Sequence, residues 1–427
     1  MIPLPTLTRV MNRTLLISAA AYLALLPSNA WTFARSLTFT IAASFAFAAL
    51  VGSWIGKNEE TPSPGDPILI AFGLWASWAI ASLAWSIHPL YTAGELRREI
   101  AWGTLTALTF YMAARNEQAW RVLVGTSLLA FGVYAASVLV MAAMPGGWNA
   151  DRWHSGIGPY ATHLVLIAPL LLTLLSPAPT GFRGGWRSVA CAFLLLALLL
   201  ATARLTENRT VWLALAASFA ASSMLAALRW RHSLRAGYLR WMAPLLALML
   251  VLGLLFIDAA RERAQADFPP RTSVAQTLSD DPRFSLWDHT VQHIRERPVA
   301  GYGFGRAILA DELRQEMGNP LLWHAHNIFV SQFLQLGAIG FCLFVSLIIA
   351  LLARFGGFLR SGDDSLAFIG VLGIALIAGF VVKDLTDDFL FRSNARELWA
   401  TLGMLLGVGV RRSRTSGVVS GAGARAR

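Results

Sequence analysis

Stretches of about 20 apolar residues recur from one end of this chain to the other, the length needed to cross a hydrocarbon core roughly 30 Å thick. Backbone polar groups have no water partner there, so each run must close its hydrogen bonds within itself as a helix. The composition agrees: of 427 residues, 56% are hydrophobic and 14% charged, where a soluble domain averages roughly 25% charged. A transmembrane β-barrel would show shorter, alternating segments, which are absent. The expected class is an all-α integral membrane protein. Hydropathy places about twelve spans, near 14–30, 37–56, 67–87, 99–114, 120–144, 159–175, 186–203, 209–228, 240–257, 326–352, 365–382 and 395–410. Residues 28–30, "SNA", resemble a signal-peptide cleavage site, but spans follow at once, and an uncleaved first helix is the better reading. The expected division is nine transmembrane helices in 1–257, an outer loop with amphipathic helices in 258–325, three more spans in 326–410, and a basic, disordered tail in 411–427.

The net charge of +11 does not point to nucleic acid. The arginines are scattered through membrane loops, and a duplex needs a clustered basic face. Cys191 and Cys342 fall inside apolar spans, so neither a disulfide framework nor a metal site is expected. Short loops on the side of both termini carry about twice the Lys and Arg of the other side, which makes both termini cytoplasmic and the long loop external. Arg97, Arg98, Arg204, Arg209, Arg392 and Arg396 then sit at outer membrane ends, where insertion disfavours them. One such arginine is a snorkelling side chain as readily as a functional one. Six of them, with Lys383, argue for an anionic ligand.

Against this background the stretch "WHAHNIFVSQFLQLGAIG" (323–340) is informative. His324 and His326 stand at the mouth of a span, and Gly337 and Gly340 lie about three turns inside it. In one unbroken helix those glycines return to within about 40° of the direction of His326. Small residues there would let a neighbouring helix approach and fix the rotation that aims His326. A helix N-terminus favours the neutral imidazole, the form that accepts a proton. An interfacial histidine with no chemical role is the plain alternative at this point.

Two further stretches carry charge in suggestive places. "RFSLWDHTVQHIRERPVAGYGFGRA" (283–307) reads as an amphipathic helix with an apolar face of Phe284, Trp287, Val291 and Ile294, closed by Pro298 and a glycine turn. Arg283 lies in its first turn, where a cation is poorly placed unless an anion joins it. "RLTENRTVWLALAASF" (204–219) puts Arg209 at the start of a span, and a guanidinium can hold a diphosphate bidentately. "VVKDLTDDFLFRSNAR" (381–396) gathers Lys383, Asp384, Asp387, Asp388, Arg392 and Arg396. A mutually paired network is the simpler reading of that cluster. No Asp-x-Asp pair of the kind that holds a divalent metal occurs.

At these three stretches the chain resembles the bacterial O-antigen ligases and the related O-antigen polymerases and protein O-oligosaccharyltransferases. The matching pieces are "HNIFVSQFLQLGAIG" (326–340), "RFSLW…RPVAGYGFG" (283–305) and Arg209 in "NRTVWL". The resemblance implies a GT-C-like glycosyltransferase in the bacterial inner membrane, with its active site facing the periplasm. It implies a donor glycan on undecaprenyl diphosphate, lipid A–core as acceptor, inversion at the anomeric carbon, and no metal or cofactor. By the same resemblance His326 is the catalytic base, and Arg209 and Arg283 hold the donor diphosphate. Further candidate substrate contacts are Asn327, His324, Arg204, Arg97, Arg98, Lys383, Asp387 and Arg392, with Gly337 and Gly340 as helix-packing positions. Membrane lipids surround the spans. The alternatives are a polymerase acting on undecaprenyl-diphosphate glycans and, from another class, a lipid or polysaccharide transporter.

Overall fold

The computed structural model describes residues 4–56, 65–149, 156–176, 185–230, 248, 251–262 and 281–425. The described residues form helices and loops with no strand. In chain order the helices are α1 (Leu4–Leu25), α2 (Thr32–Ile55), α3 (Pro67–Ala81), α4 (Pro89–Glu95), α5 (Trp102–Ala113), α6 (Glu117–Ala142), α7 (Ile157–Leu171), α8 (Trp186–Leu205) and α9 (Arg209–Trp230). They continue with α10 (251–262), α11 (Pro282–Glu296), α12 (Ala310–Met317), α13 (Ile328–Leu359), α14 (Asp364–Asp384) and α15 (Arg392–Arg425). A π-helical segment, Leu96–Ala101, joins α4 to α5.

Among the described residues eight helices are long and apolar enough to cross a membrane: α2, α6, α8, α9, α13, α14, and α3 and α7 with the short 3-10 turns that end them. They coincide with eight of the expected spans, and the chain is a multi-pass membrane protein. Of the other four expected spans, 14–30 overlaps α1, 99–114 falls on the short α5, and 395–410 lies inside α15. Most of 240–257 lies outside the described residues, as do 263–280 of the expected outer loop. The helix α15 carries on past Val410 into the basic stretch expected to be disordered. The side chains of its first arginines are engaged: Arg411 donates to the carbonyls of Tyr111 and Gly407, and Arg412 pairs with Asp363 and Glu117.

The sequence also sets where helices start. Asp66 accepts from the Ile68 amide ahead of Pro67, Asn116 from Ala119, and Asp363 from Ser365, so amides left open at each N-terminus are satisfied. Two helices form the centre. About 78% of the apolar window of both α7 and α14 is buried, against 28–44% for the other six spans. Around them α9 and α13 pack on α14, α3 packs on α13, and α5 packs on α15.

One span departs from the expected geometry. The helix α13 is broken at Gly337, whose φ of 66° and ψ of −169° lie outside any helix. The stripe that would align Gly337 and Gly340 with His326 therefore does not exist, because the helical phase is lost between them. In its place the segment Pro298–Gly303 enters the break. The carbonyls of Leu334 and Gln335 accept from the amides of Tyr302 and Gly303, at 3.1 and 2.9 Å. The Leu336 carbonyl accepts from the Trp78 indole at 3.0 Å, and the Ala338 amide donates to Pro298 at 2.8 Å. Backbone groups released by the kink thus find partners in the loop and in Trp78, which is what burial in a membrane demands. A Cβ on Gly337 would lie 2.1 Å from the Val299 carbonyl oxygen. The glycine serves close approach by a loop backbone, not by a neighbouring helix.

Candidate functional site

The site is built at the end of the bundle where α9, α11, α13 and α15 begin and α14 ends. Asn327 caps α13, its Oδ1 accepting from the amides of Phe329 and Val330 at 2.9 and 3.1 Å, while its Nδ2 donates to the Leu385 carbonyl at 2.9 Å. With those bonds Asn327 ties the start of α13 to the end of α14. His326 stands just before this cap, outside the helix, in the left-handed region with φ of 46°. A non-glycine residue there is uncommon and stays only where its surroundings hold it.

Several contacts hold it. The His326 ring stacks on His324, centroids 3.7 Å apart and planes at 29°. The His326 amide donates to His324 Nδ1 at 3.1 Å. On the other edge, His326 Nδ1 faces Asp387 Oδ1 at 3.7 Å, and Nε2 lies 3.3 Å from the Leu321 carbonyl. Asp387 is buried and is also paired with Lys383, which is fully buried. Lys383 therefore lies behind Asp387 as a charge partner and does not reach the surface as a substrate contact. Burial alone would raise the Asp387 carboxyl, but Lys383, His326 and Arg283 reverse this and hold it well below the usual carboxylate range. Asp387 is thus an anion beside the His326 ring.

His324 has the opposite character. It is buried, with the Arg306 guanidinium 3.1 Å from its Nε2. Burial first, then the charge of Arg306, pushes its imidazole well below the usual histidine range. A neutral His324 makes a flat, uncharged bed for His326. Arg306 is itself enclosed by aromatic rings, its guanidinium carbon 4.7 Å from the Trp323 centroid and 4.6 Å from that of Phe391, and it donates to the Asp388 carbonyl. The sequence reading missed Arg306. Its signal was its position directly after the glycine turn that enters the break in α13.

The two expected diphosphate-binding arginines converge, but through a third residue. Arg209 donates to Asp281 Oδ2 at 2.8 Å, and Arg283 lies 3.6 Å from the same oxygen. Asp281 Oδ1 accepts from the Arg283 amide at 3.0 Å and so caps α11 ahead of Pro282. Arg283 is also near enough to His324 and Asp387 to act on both electrostatically. The helix α11 packs inward through Leu286 and Thr290, while Phe284 and Val291 of its expected apolar face are exposed. Trp287 reaches back to donate to the Ala325 carbonyl at 2.8 Å, which links α11 to the histidine loop.

Among the described residues the remaining candidates make no bond to His324 or His326. Arg204 pairs with Glu262, and Arg98 with Glu95 at 2.8 Å. Arg97 is exposed, and the Arg392 side chain lies over the Phe391 ring. A large apolar groove of about 660 Å³, bounded by Leu50, Phe72, Leu108, Leu351 and Leu406, shares no residue with the histidine cluster. Among the described residues no group of three or more His, Cys, Asp or Glu is placed to hold a metal ion.

No curated protein matches the chain. Residues 191–345 match the family model described as O-antigen ligase. The matched stretch, somewhat over a third of the chain, contains Arg209, Arg283, Arg306, both histidines and the break in α13, and over it the chain is similar to the O-antigen ligase family.

Proposed function

We propose that this chain transfers a glycan from undecaprenyl diphosphate to a hydroxyl of lipid A–core at the periplasmic face of the bacterial inner membrane. The observation that carries the reading is the meeting of an oriented imidazole with two converging guanidiniums. His326 supplies the base. The Asp387 carboxylate beside Nδ1 favours the tautomer with its proton there, which leaves Nε2 to take the proton of the acceptor hydroxyl. In that tautomer the Leu321 carbonyl 3.3 Å away, which can only accept, is no partner for Nε2, so the acceptor hydroxyl takes its place as it arrives.

The chemistry is a single displacement. The acceptor oxygen forms its bond to the anomeric carbon as the bond from that carbon to the diphosphate oxygen breaks. The proton passes to His326, and the electron pair leaves with the diphosphate. Attack opposite the leaving group inverts the anomeric centre. Arg209 and Arg283 neutralise the charge that builds on the departing diphosphate, and they are worth most in a site shielded from water. With two guanidiniums in that role, a divalent ion has no required part in the step.

The test is reconstitution with undecaprenyl-diphosphate glycan and two acceptors offered together, lipid A–core and a second undecaprenyl-linked glycan, in the presence of a chelator. Modified lipid A–core is the expected product. Extension of the second glycan instead would make the protein a polymerase. A requirement for a nucleotide sugar or a divalent ion would overturn the donor assignment.

A further inference from the structure

Two uncommon backbone features meet beside the site. The segment Leu96–Ala101 is π-helical, a conformation found mostly as short insertions at functional positions. Arg392, at the start of α15, has φ of 49°, in the left-handed region. Glu99 joins the two: its carboxylate oxygens accept from the Arg392 amide at 3.0 and 3.1 Å. Strain of this kind persists where the surroundings over-determine it, and it calls for an account of what it presents.

What it presents is a group of outward guanidiniums. Arg97, Arg98 and Arg392 are all exposed; Arg98 pairs with Glu95, and the buried Glu99 carboxylate is near enough to Arg392 to act on its charge. The Arg392 guanidinium lies over the Phe391 ring, as does that of Arg306, each guanidinium carbon 4.6 Å from the ring centroid. The patch is therefore connected to His324 and His326 through Phe391 and Arg306, a route separate from Asp281. Trp102, partly exposed, follows directly, with Arg396 5.8 Å from its ring. A tryptophan half in and half out is the usual mark of the membrane–water boundary.

From this we infer that Arg97, Arg98 and Arg392 form a second anion site, which takes a phosphate group carried at headgroup level by the amphiphilic acceptor. This rests on the glycosyl-transfer reading for the role of the bound molecule, but not for its binding. Two anion sites on separate routes to one base would let donor and acceptor phosphates be held at once without competing. The same phosphate chemistry is offered by anionic phospholipids, so the test must separate the two sources.

The experiment uses the full chain in phosphatidylcholine nanodiscs and in discs that also contain phosphatidylglycerol. Binding of lipid A–core, intact or treated with phosphatase, is titrated for wild type and for Arg97→Gln/Arg392→Gln. Both positions are exposed, and Arg98 with its partner is left in place. The expected result in phosphatidylcholine is weaker binding of intact lipid A–core by the double variant, about three- to tenfold, the scale of two partly exposed ion pairs. Phosphatase-treated acceptor should bind wild type and variant alike. In turnover, the same change should appear in acceptor KM, with donor KM and kcat unmoved. Equal binding of intact acceptor by both proteins would overturn the site. A difference confined to phosphatidylglycerol discs, whatever the acceptor carries, would assign the patch to bulk lipid and overturn the acceptor role. If binding changes as expected but no transfer occurs with any donor, the catalytic reading fails and the anion site stands.

Discussion

His326 shows how little of a site is contained in the identity of its central residue. Its ring is defined by three neighbours from three segments: the stacked His324, the Asp387 carboxylate and the Leu321 carbonyl. The histidine itself was legible from its place at the head of a span. Asp387 was legible only as one member of a charged cluster, because nothing in the sequence says which of four charges in 383–388 turns toward the histidine. Removing Asp387 leaves Lys383 buried without its partner, and Asp387→Ala should cost about 3–5 kcal/mol, as for other broken buried pairs. The double variant Lys383→Met/Asp387→Leu should recover most of that loss in unfolding by denaturant, while transfer stays impaired. Recovery of transfer along with stability would show that Asp387 serves the fold alone.

Two more residues carry predictions at this scale. His324 titrates lower in the folded protein than its ordinary value of 6.5. The unfolded chain therefore binds the proton first, and this contribution to stability is complete above about pH 6.5 and falls away as the pH drops below it. Thermal unfolding in detergent between pH 7.5 and 5 should show that loss, and His324→Gln should flatten it. Asp281 occupies both expected diphosphate-binding arginines. Asp281→Asn keeps a good helix cap while releasing the charge, and should tighten binding of inorganic pyrophosphate by about three- to tenfold, the equivalent of one partly buried ion pair. Arg283→Ala should weaken it. If Asp281→Asn weakens it as much as Arg283→Ala does, Asp281 aligns the arginines instead of competing for them.

At the scale of elements, the broken helix α13 is where sequence reasoning and structure part. The spacing of Gly337 and Gly340 is compatible with an unbroken small-residue stripe, and periodicity carries no mark of a kink. The physical cause lies about 35 residues upstream, in the Pro298–Gly303 segment that supplies the missing hydrogen bonds. The glycine turn and the helix glycines are thus two halves of one joint, and neither half is interpretable without the other. Gly337→Ala forces a side chain into the left-handed region and against the Val299 carbonyl. It should destabilise by at least about 2–3 kcal/mol, the cost of strained backbone with no room to relax, and displace the loop that leads to Arg306. Gly356→Ala, in the same helix with nothing within 4 Å of its new carbon, is the control and should be tolerated. Equal thermal stability of the two variants would contradict this account of the joint.

For the molecule as a whole, hydropathy was the most informative property. Eight expected spans are helices of membrane length, because an apolar run of that size has no other stable state in a bilayer. The short π-helical segment Leu96–Ala101 at the histidine end was not legible, since it answers to tertiary contacts such as Glu99 with Arg392. The assembly of the site follows from alternation of helix direction, which brings residues as distant as Arg209, Arg283, His326 and Asp387 to one end. The most direct test of the whole account is transfer by purified wild type and His326→Ala in proteoliposomes holding undecaprenyl-diphosphate glycan and lipid A–core, at saturating donor. The account predicts that the variant folds, binds donor with unchanged affinity and loses about 10²–10⁴-fold in kcat, the range for a removed general base. A variant that glycosylates lipid A–core at the wild-type rate would contradict it.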